Sequence, residues 1–269
     1  MKTKDFLPDW FEGELPRGSY RSLFKWGDPG VWKHPNKRLY RLMKETFGLS
    51  DADFAKPRRL GLETLPDSLP EARSPGKAAT GATVPTFHAD RDYTRRSLGR
   101  EELESLSGIV GADNVSTALP ERLRASYGKT LLDLERLREG LIEGLPDAVL
   151  YPRSRDDLRA ILDFAGPRGI PVYVRGGGSS VTRGCEAVRG GVSIDMGRHL
   201  KRVLAFDETN QTITVEAGMS GPELEAALAE APTRFGSKRA YTAGHFPQSF
   251  EYSSVGGWIV TRGAGQNST

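Results

Sequence analysis

At 269 residues the chain can form one large domain or two smaller ones, and 37% apolar residues suffice for a buried core. Its single cysteine, Cys185, excludes an intrachain disulfide and fits a reducing compartment, while four scattered histidines offer no metal-ligand spacing. No run approaches the ~20 apolar residues of a membrane span, and the first residues lack the apolar centre of a signal peptide, so a cytoplasmic protein is expected. The net charge of +3 is uneven: residues 1–100 hold 19 Lys/Arg against 13 Asp/Glu, and the remainder 19 against 22. A solvated basic surface accounts for that imbalance more simply than nucleic acid does, and no nucleic-acid partner is expected.

Residues 1–35 are rich in aromatic residues, among them Trp10, Phe11, Phe24, Trp26 and Trp32. Such an arm either packs on a neighbouring domain or enters a lipid interface, which leaves peripheral membrane contact open. The first helix is expected from Asn36 to Phe47, where Leu39, Met43 and Phe47 share a face and Gly48 stops it. From Leu65 to Asp90 Pro, Ala, Gly and Ser follow without periodicity, as in a long loop. Leu103, Leu106 and Val110 mark the next helix, closed at Asp113-Asn114. Another is expected from Lys129 to Leu145, with Leu134, Leu137, Leu141 and Leu145 on one face.

After Pro146 the pattern changes. Ala148 to Tyr151 reads as a strand, Ser154 as the N-cap of a helix bearing Leu158, Ile161, Leu162 and Ala165, and Pro171 to Val174 as a second strand. Val192 to Met196 is a further strand, and Val203–Phe206 with Thr212–Glu216 forms a hairpin across Asp207-Glu-Thr-Asn. Ser220 caps a helix through Leu224 and Leu228.

Chemistry concentrates in two stretches. In PVYVRGGGSSV a strand runs into three glycines and two serines, whose amides and hydroxyls can cradle a pyrophosphate. A flexible turn is the competing account of that pentapeptide, and the G-x-G-x-x-G fingerprint of a Rossmann fold is absent. The second stretch is GHFPQSFEYSSVGGWIVTRGAG, where Val255-Gly-Gly-Trp258 opens an apolar helix. His245 is either a turn residue or a contact to a ligand; Arg262 either meets an anion or makes a structural ion pair. Asp195 and Glu216 follow strands, but their spacing makes no catalytic pair.

Taken in order, PDAVLYPRSRDDLRAILDFA, VRGGGSSV, VEAGMSGPELEAAL and the second stretch resemble the FAD-binding domain of the vanillyl-alcohol oxidase and p-cresol methylhydroxylase (PCMH) superfamily. Within it they are most similar to the alkyldihydroxyacetonephosphate synthase family, which carries P-x-G-G-G-T-S-V, E-F-S-T-V-G-G-W and T-R-A-S-G. This chain has Arg175 before the glycines, Ser179 for the Thr, Tyr252 and Ser254 in the second motif, and Gly263-Ala264 in the third. The resemblance covers roughly Arg122 to Thr269.

It implies an α+β, PCMH-type two-subdomain FAD-binding fold over 141–269, divided near Leu200 and incomplete at its C-terminus, after a helical, loop-rich region over 1–140. Arg175, Gly176, Gly177, Gly178, Ser179, Ser180 and Val181 would hold the FAD pyrophosphate. Gln248, Ser249, Phe250, Glu251, Tyr252, Ser253 and Ser254, with Thr261, Arg262, Gly263 and Ala264, would follow the rest of the cofactor. Ser179 stands where some relatives attach FAD through a histidine, so binding is expected to be non-covalent. The resemblance implies replacement of the acyl group of an acyl-dihydroxyacetone phosphate by a long-chain alcohol, without net redox change. Oxidation of a D-2-hydroxy acid or other alcohol, and a non-catalytic flavin-binding fragment needing a second chain, are the alternatives. A small, lipid-derived substrate and a homodimer accompany the first reading. Thr269 falls where such relatives continue into a substrate-binding portion, so the chain is expected to be the front part of a longer enzyme; its catalytic residues have no matching positions here.

Overall fold

The computed structural model describes residues 37–50, 95–130, 132–133, 136 and 142–265. The aromatic arm, the loop from Leu65 to Asp90 and residues 131, 134–135 and 137–141 of the helix expected from Lys129 to Leu145 lie outside the described residues. Helix α1, Lys37–Phe47, ends at Gly48 in a left-handed conformation (φ 62°). Phe47 is largely exposed, and Met43 on the same face is half-buried.

Helix α2, Arg100–Val110, begins at Gly99, whose amide donates to the Glu102 carboxylate at 3.0 Å. Arg96 binds the same carboxylate and, with that amide, holds it below the usual carboxylate range. Leu106 and Val110 on its inner face are fully buried. A short 3-10 turn leads to β1, Val115–Ser116, and α3, Leu119–Ser126. Of the helix expected from Lys129 to Leu145, Leu132, Asp133 and Arg136 are helical, whereas its ends are not: Lys129 lies outside any helix and Leu145 is buried in the irregular approach to β2. Burial alone accounts for the leucine there.

The central sheet has the order β1-β2-β4-β3, built from β2, Ala148–Leu150, β3, Val172–Arg175, and β4, Val192–Asp195. β2 and β3 are both parallel to β4, and only the two-residue β1 runs antiparallel. Helix α4, Arg155–Ala165, connects β2 to β3; its N-cap Ser154 accepts from the Asp157 amide at 3.1 Å, and Gly166 ends it. The strand-helix-strand unit is therefore present, with β4 inserted between its two strands. Ala148 and Leu150 face α2 and α4 with Val192 and Ile194, while Val149 and Tyr151 pack with Ala125 of α3. A sheet covered on both faces buries its inner strands throughout, as in β2 and β4; β2 is wholly apolar, while β4 carries the buried Ser193 and Asp195 between and after its apolar residues.

The second lobe starts with the hairpin of β5, Val203–Asp207, and β6, Thr212–Val215. Asp207 closes the turn by accepting from the Asn210 amide at 3.0 Å. Helix α5, Gly221–Ala229, opens with a reciprocal capping box between Ser220 and Glu223. After the short α6, Ala231–Phe235, the chain reaches α7, Val255–Thr261, capped by Ser254. Val203, Phe206, Ile213 and Val215 close over Met219, Leu224, Leu228 and Trp258 as a second core. No helix among the described residues is long and apolar enough to cross a membrane.

Candidate functional site

A cleft of about 680 Å³ opens where the parallel strands end. Tyr151 follows β2, Arg175 ends β3 and runs into Gly176-Gly177, and Asp195 ends β4 ahead of Gly197; all line the cleft. Ligands of open parallel sheets bind beyond these carboxyl ends, where no side chain of the strand blocks the backbone. The opposite wall is Gly218, Ser220 and Tyr252–Ser254 of the second lobe. That wall is tied together within the second lobe: the Val255 amide donates to the Met219 carbonyl at 2.8 Å and the Gly256 amide to that of Ala217 at 2.9 Å.

Two of the three glycines have separate reasons to be glycine. A Cβ on Gly177 would fall inside the van der Waals radius of the Tyr252 carbonyl oxygen, so that residue is where the two lobes meet backbone to backbone. Gly178 has φ 68°, and a Cβ there would stand 2.6 Å from the Arg175 guanidinium. The loop is thus a packed wedge, folded around its own arginine. Its Gly177, Gly178 and Ser179 amides donate to no protein acceptor among the described residues.

Arg175 is committed to the loop's geometry. It pairs with Asp195 across the β3–β4 register and donates to the Arg124 carbonyl at 3.1 Å. Asp195 also accepts from the Gly197 amide at 2.8 Å, so its carboxylate is a structural acceptor at the strand end. Tyr151 donates to Glu121 at 2.7 Å; burial first, and that carboxylate second, raise its phenol far above its ordinary value and keep it protonated. Lys129, whose amide donates to the Ser180 carbonyl at 2.8 Å, is pushed down to about 8 by burial and by the Arg175 and Arg124 charges.

Of the residues expected from the sequence, Arg175, Gly176, Gly177, Tyr252, Ser253 and Ser254 come together on the cleft. Ser253 has a spent hydroxyl: it donates to the Ser249 carbonyl at 2.8 Å and accepts from the Trp258 indole at 2.6 Å. Gly178, Ser179, Ser180 and Val181 continue the loop beyond the lining, and the Ser180 hydroxyl accepts from the Thr182 amide at 3.3 Å. Ser249 and Phe250 build the turn under the second wall, whereas Gln248 and Glu251 point to solvent. Thr261 to Ala264 form the far end of α7, where Thr261 caps a carbonyl of its own helix and Arg262 adopts φ 49°. His245 packs its ring on Trp258, 4.9 Å between centroids, away from the cleft lining, and Glu216 is held by Arg202 at 2.7 Å.

Sequence reasoning missed Ser116, Glu121, Arg124, Arg198, Lys201 and Ser220, which also line the cleft. Ser220 was legible as a cap. The others stand at an edge strand, on α3 and in the β4–β5 connection, and share no local motif. Together the lining supplies amides, cations and hydroxyls around glycine backbone, the donor set that a pyrophosphate needs.

Comparison with known proteins bears on the same stretch. Residues 146–269 match the family described as FAD binding domain. This segment is an FAD-binding domain of the PCMH type, related to alkyldihydroxyacetonephosphate synthase and FAD-linked oxidases, and its cofactor is FAD. The chain is 35% identical over 246 residues to the alkyldihydroxyacetonephosphate synthase of Trypanosoma brucei brucei, covering 89% of this chain and 37% of that protein. Against the synthase of Dictyostelium discoideum it is 35% identical over 171 residues, 62% of this chain and 26% of that one. It is 29% identical over 191 residues to a D-2-hydroxyglutarate dehydrogenase of Pantoea ananatis, 70% of this chain and 17% of that one. A solved alkyldihydroxyacetonephosphate synthase superposes with a TM-score of 0.57 at 29% identity, covering 74% of this chain and 33% of that chain. The chain therefore spans well under half the length of these relatives.

Proposed function

We propose that the chain is the cofactor-holding portion of a flavoenzyme of the alkyldihydroxyacetonephosphate synthase type, acting in ether-lipid synthesis on an acyl-dihydroxyacetone phosphate and a long-chain alcohol. The 35% identity that runs through 89% of the chain carries this reading. The cleft supports it. Gly177, Gly178 and Ser179 offer amides to the FAD pyrophosphate, and Arg175, clamped by Asp195, fixes the loop that presents them. Tyr252 and Ser254 form the facing wall, and Ser254 keeps a proton to donate because it only accepts from the Gly257 amide. When bound, the flavin supplies a reversible electron-pair acceptor. The protein's own part in this region is to bind and orient it, with the glycine backbone admitting close approach.

Hydride removal from a D-2-hydroxy acid is the second reading, favoured by the likeness to D-2-hydroxyglutarate dehydrogenase. Both are tested together. FAD is added, unbound flavin is removed by gel filtration, and absorbance at about 450 nm is read. Retained flavin is expected of this chain, and exchange of the fatty acid of palmitoyl-dihydroxyacetone phosphate for hexadecanol of a whole enzyme of the synthase type that contains it. Bleaching of the flavin by D-2-hydroxyglutarate without exchange would move the assignment to the dehydrogenase. A chain that retains no flavin would sink the cofactor-holding role.

A further inference from the structure

All but one of the cations lining the cleft are answered by a carboxylate. Arg175 pairs with Asp195, Lys201 with Glu223 at 2.9 Å, and Arg124 approaches Glu121 at 3.6 Å. Arg198 makes no ion pair or hydrogen bond among the described residues. Its guanidinium lies over the Tyr151 ring, 4.6 Å from guanidinium carbon to ring centroid. That ring cannot drift: it is 7% exposed, packs with Val149 and Ala125, and donates its hydroxyl to Glu121. Here stacking removes the side chain's freedom and leaves the N–H groups of the fork available at the cleft wall.

We propose that Arg198 is a phosphate-binding residue of this cleft, its guanidinium held ready by Tyr151 and its donors directed to a phosphate of the ligand. The inference rests on the reading of the cleft as a site for phosphate-bearing ligands and adds the cation that neutralises them. A planar fork suits a phosphate because two parallel N–H groups match two oxygens, and an uncompensated positive charge in a partly enclosed cleft draws an anion. Two sources supply the same chemistry, the pyrophosphate of a dinucleotide and the phosphate monoester of a substrate.

The test compares wild type with Arg198→Gln and Arg198→Lys by calorimetric titration. The probes are FAD, ADP, dihydroxyacetone phosphate and riboflavin, the last lacking any phosphate. Because Arg198 is exposed, the variants should fold as wild type, which circular dichroism checks. Arg198→Gln should weaken phosphate-bearing probes by about tenfold or more, with partial recovery in Arg198→Lys and riboflavin unchanged. Added salt should weaken the wild-type protein more than Arg198→Gln. A loss confined to FAD and ADP assigns the residue to the dinucleotide; a loss confined to dihydroxyacetone phosphate assigns it to the substrate. If wild type binds dihydroxyacetone phosphate through Arg198 but not FAD, the cofactor-holding reading fails while the residue's role stands. Unchanged affinities in Arg198→Gln, or an equal loss for riboflavin, would overturn the role and leave the FAD reading intact. Wild-type protein that binds none of the phosphate probes overturns both.

Discussion

The two walls of the cleft are held by different physics. In the first lobe the inner strands are covered on both faces, and charged groups are buried with them: Arg175 against Asp195, and Arg136 against Glu186 at 2.7 Å with both side chains under a tenth exposed. In the second lobe the hairpin is half open to water, an exposed Arg202 meets an enclosed Glu216, and Lys201 meets Glu223 with each about two-fifths exposed. Its helices rely on local caps, Ser220 for α5 and Ser254 for α7. The first lobe therefore draws its rigidity from interactions that are costly to break singly. The second is assembled from local pieces that each contribute little.

The sharpest way to break this contrast is at the ion pairs. Asp195→Ala leaves the Arg175 guanidinium partly buried without its counter-charge and should cost about 3–5 kcal/mol. Lys201→Ala, an exposed pair, should cost under about 1 kcal/mol. Chemical denaturation of both variants checks the ratio; equal losses would mean that the lobes do not differ in this respect. The contact between the lobes is probed next. Gly177→Ala should cost about 1–3 kcal/mol through the clash with the Tyr252 carbonyl, and should widen the cleft enough to weaken FAD retention. A variant with wild-type stability and flavin content would show that the loop and the Tyr252 turn separate freely.

A further effect concerns pH. Lys129 has a pKa of about 8 in the folded chain, against about 10.4 when unfolded. Between those values the unfolded chain binds more protons than the folded one, so this lysine makes stability rise with pH over that range. Below about 8 it is charged in both states and its desolvation opposes folding in full. Lys129→Met should abolish that share of the rise, measured as the difference between wild-type and variant denaturation at pH 7.5 and about 10. Parallel curves would place the ammonium in water.

The elements were largely legible, and for identifiable reasons. Ser154, Ser220 and Gly166 act within four residues of their partners, so their caps show in the local sequence and recur in the fold. The Val203–Phe206 and Thr212–Glu216 alternation likewise yields the hairpin. Leu145 misled because its leucine spacing resembled a helix face, whereas its burial comes from packing on other segments. The glycine loop was found, but its three glycines looked equivalent. Only the structure separates Gly177, which admits the Tyr252 backbone, from Gly178, which turns in the left-handed region around Arg175.

By itself the sequence determined most of the strands and helices from Ala148 onward, the caps between them and the ordered motifs of an FAD-binding domain, because period, capping and turn chemistry act over a few neighbouring residues; β1, α3 and α6 it did not announce. The tertiary structure alone decided that β4 enters between β2 and β3, that Tyr252 closes on Gly177, and that Arg198 rests on Tyr151 across from an already paired Arg175. Those contacts join residues 47 to 75 positions apart, or choose one strand neighbour among several of like pattern. Local preferences do not encode such choices; they are made by the burial and charge pairing of the folded chain as a whole.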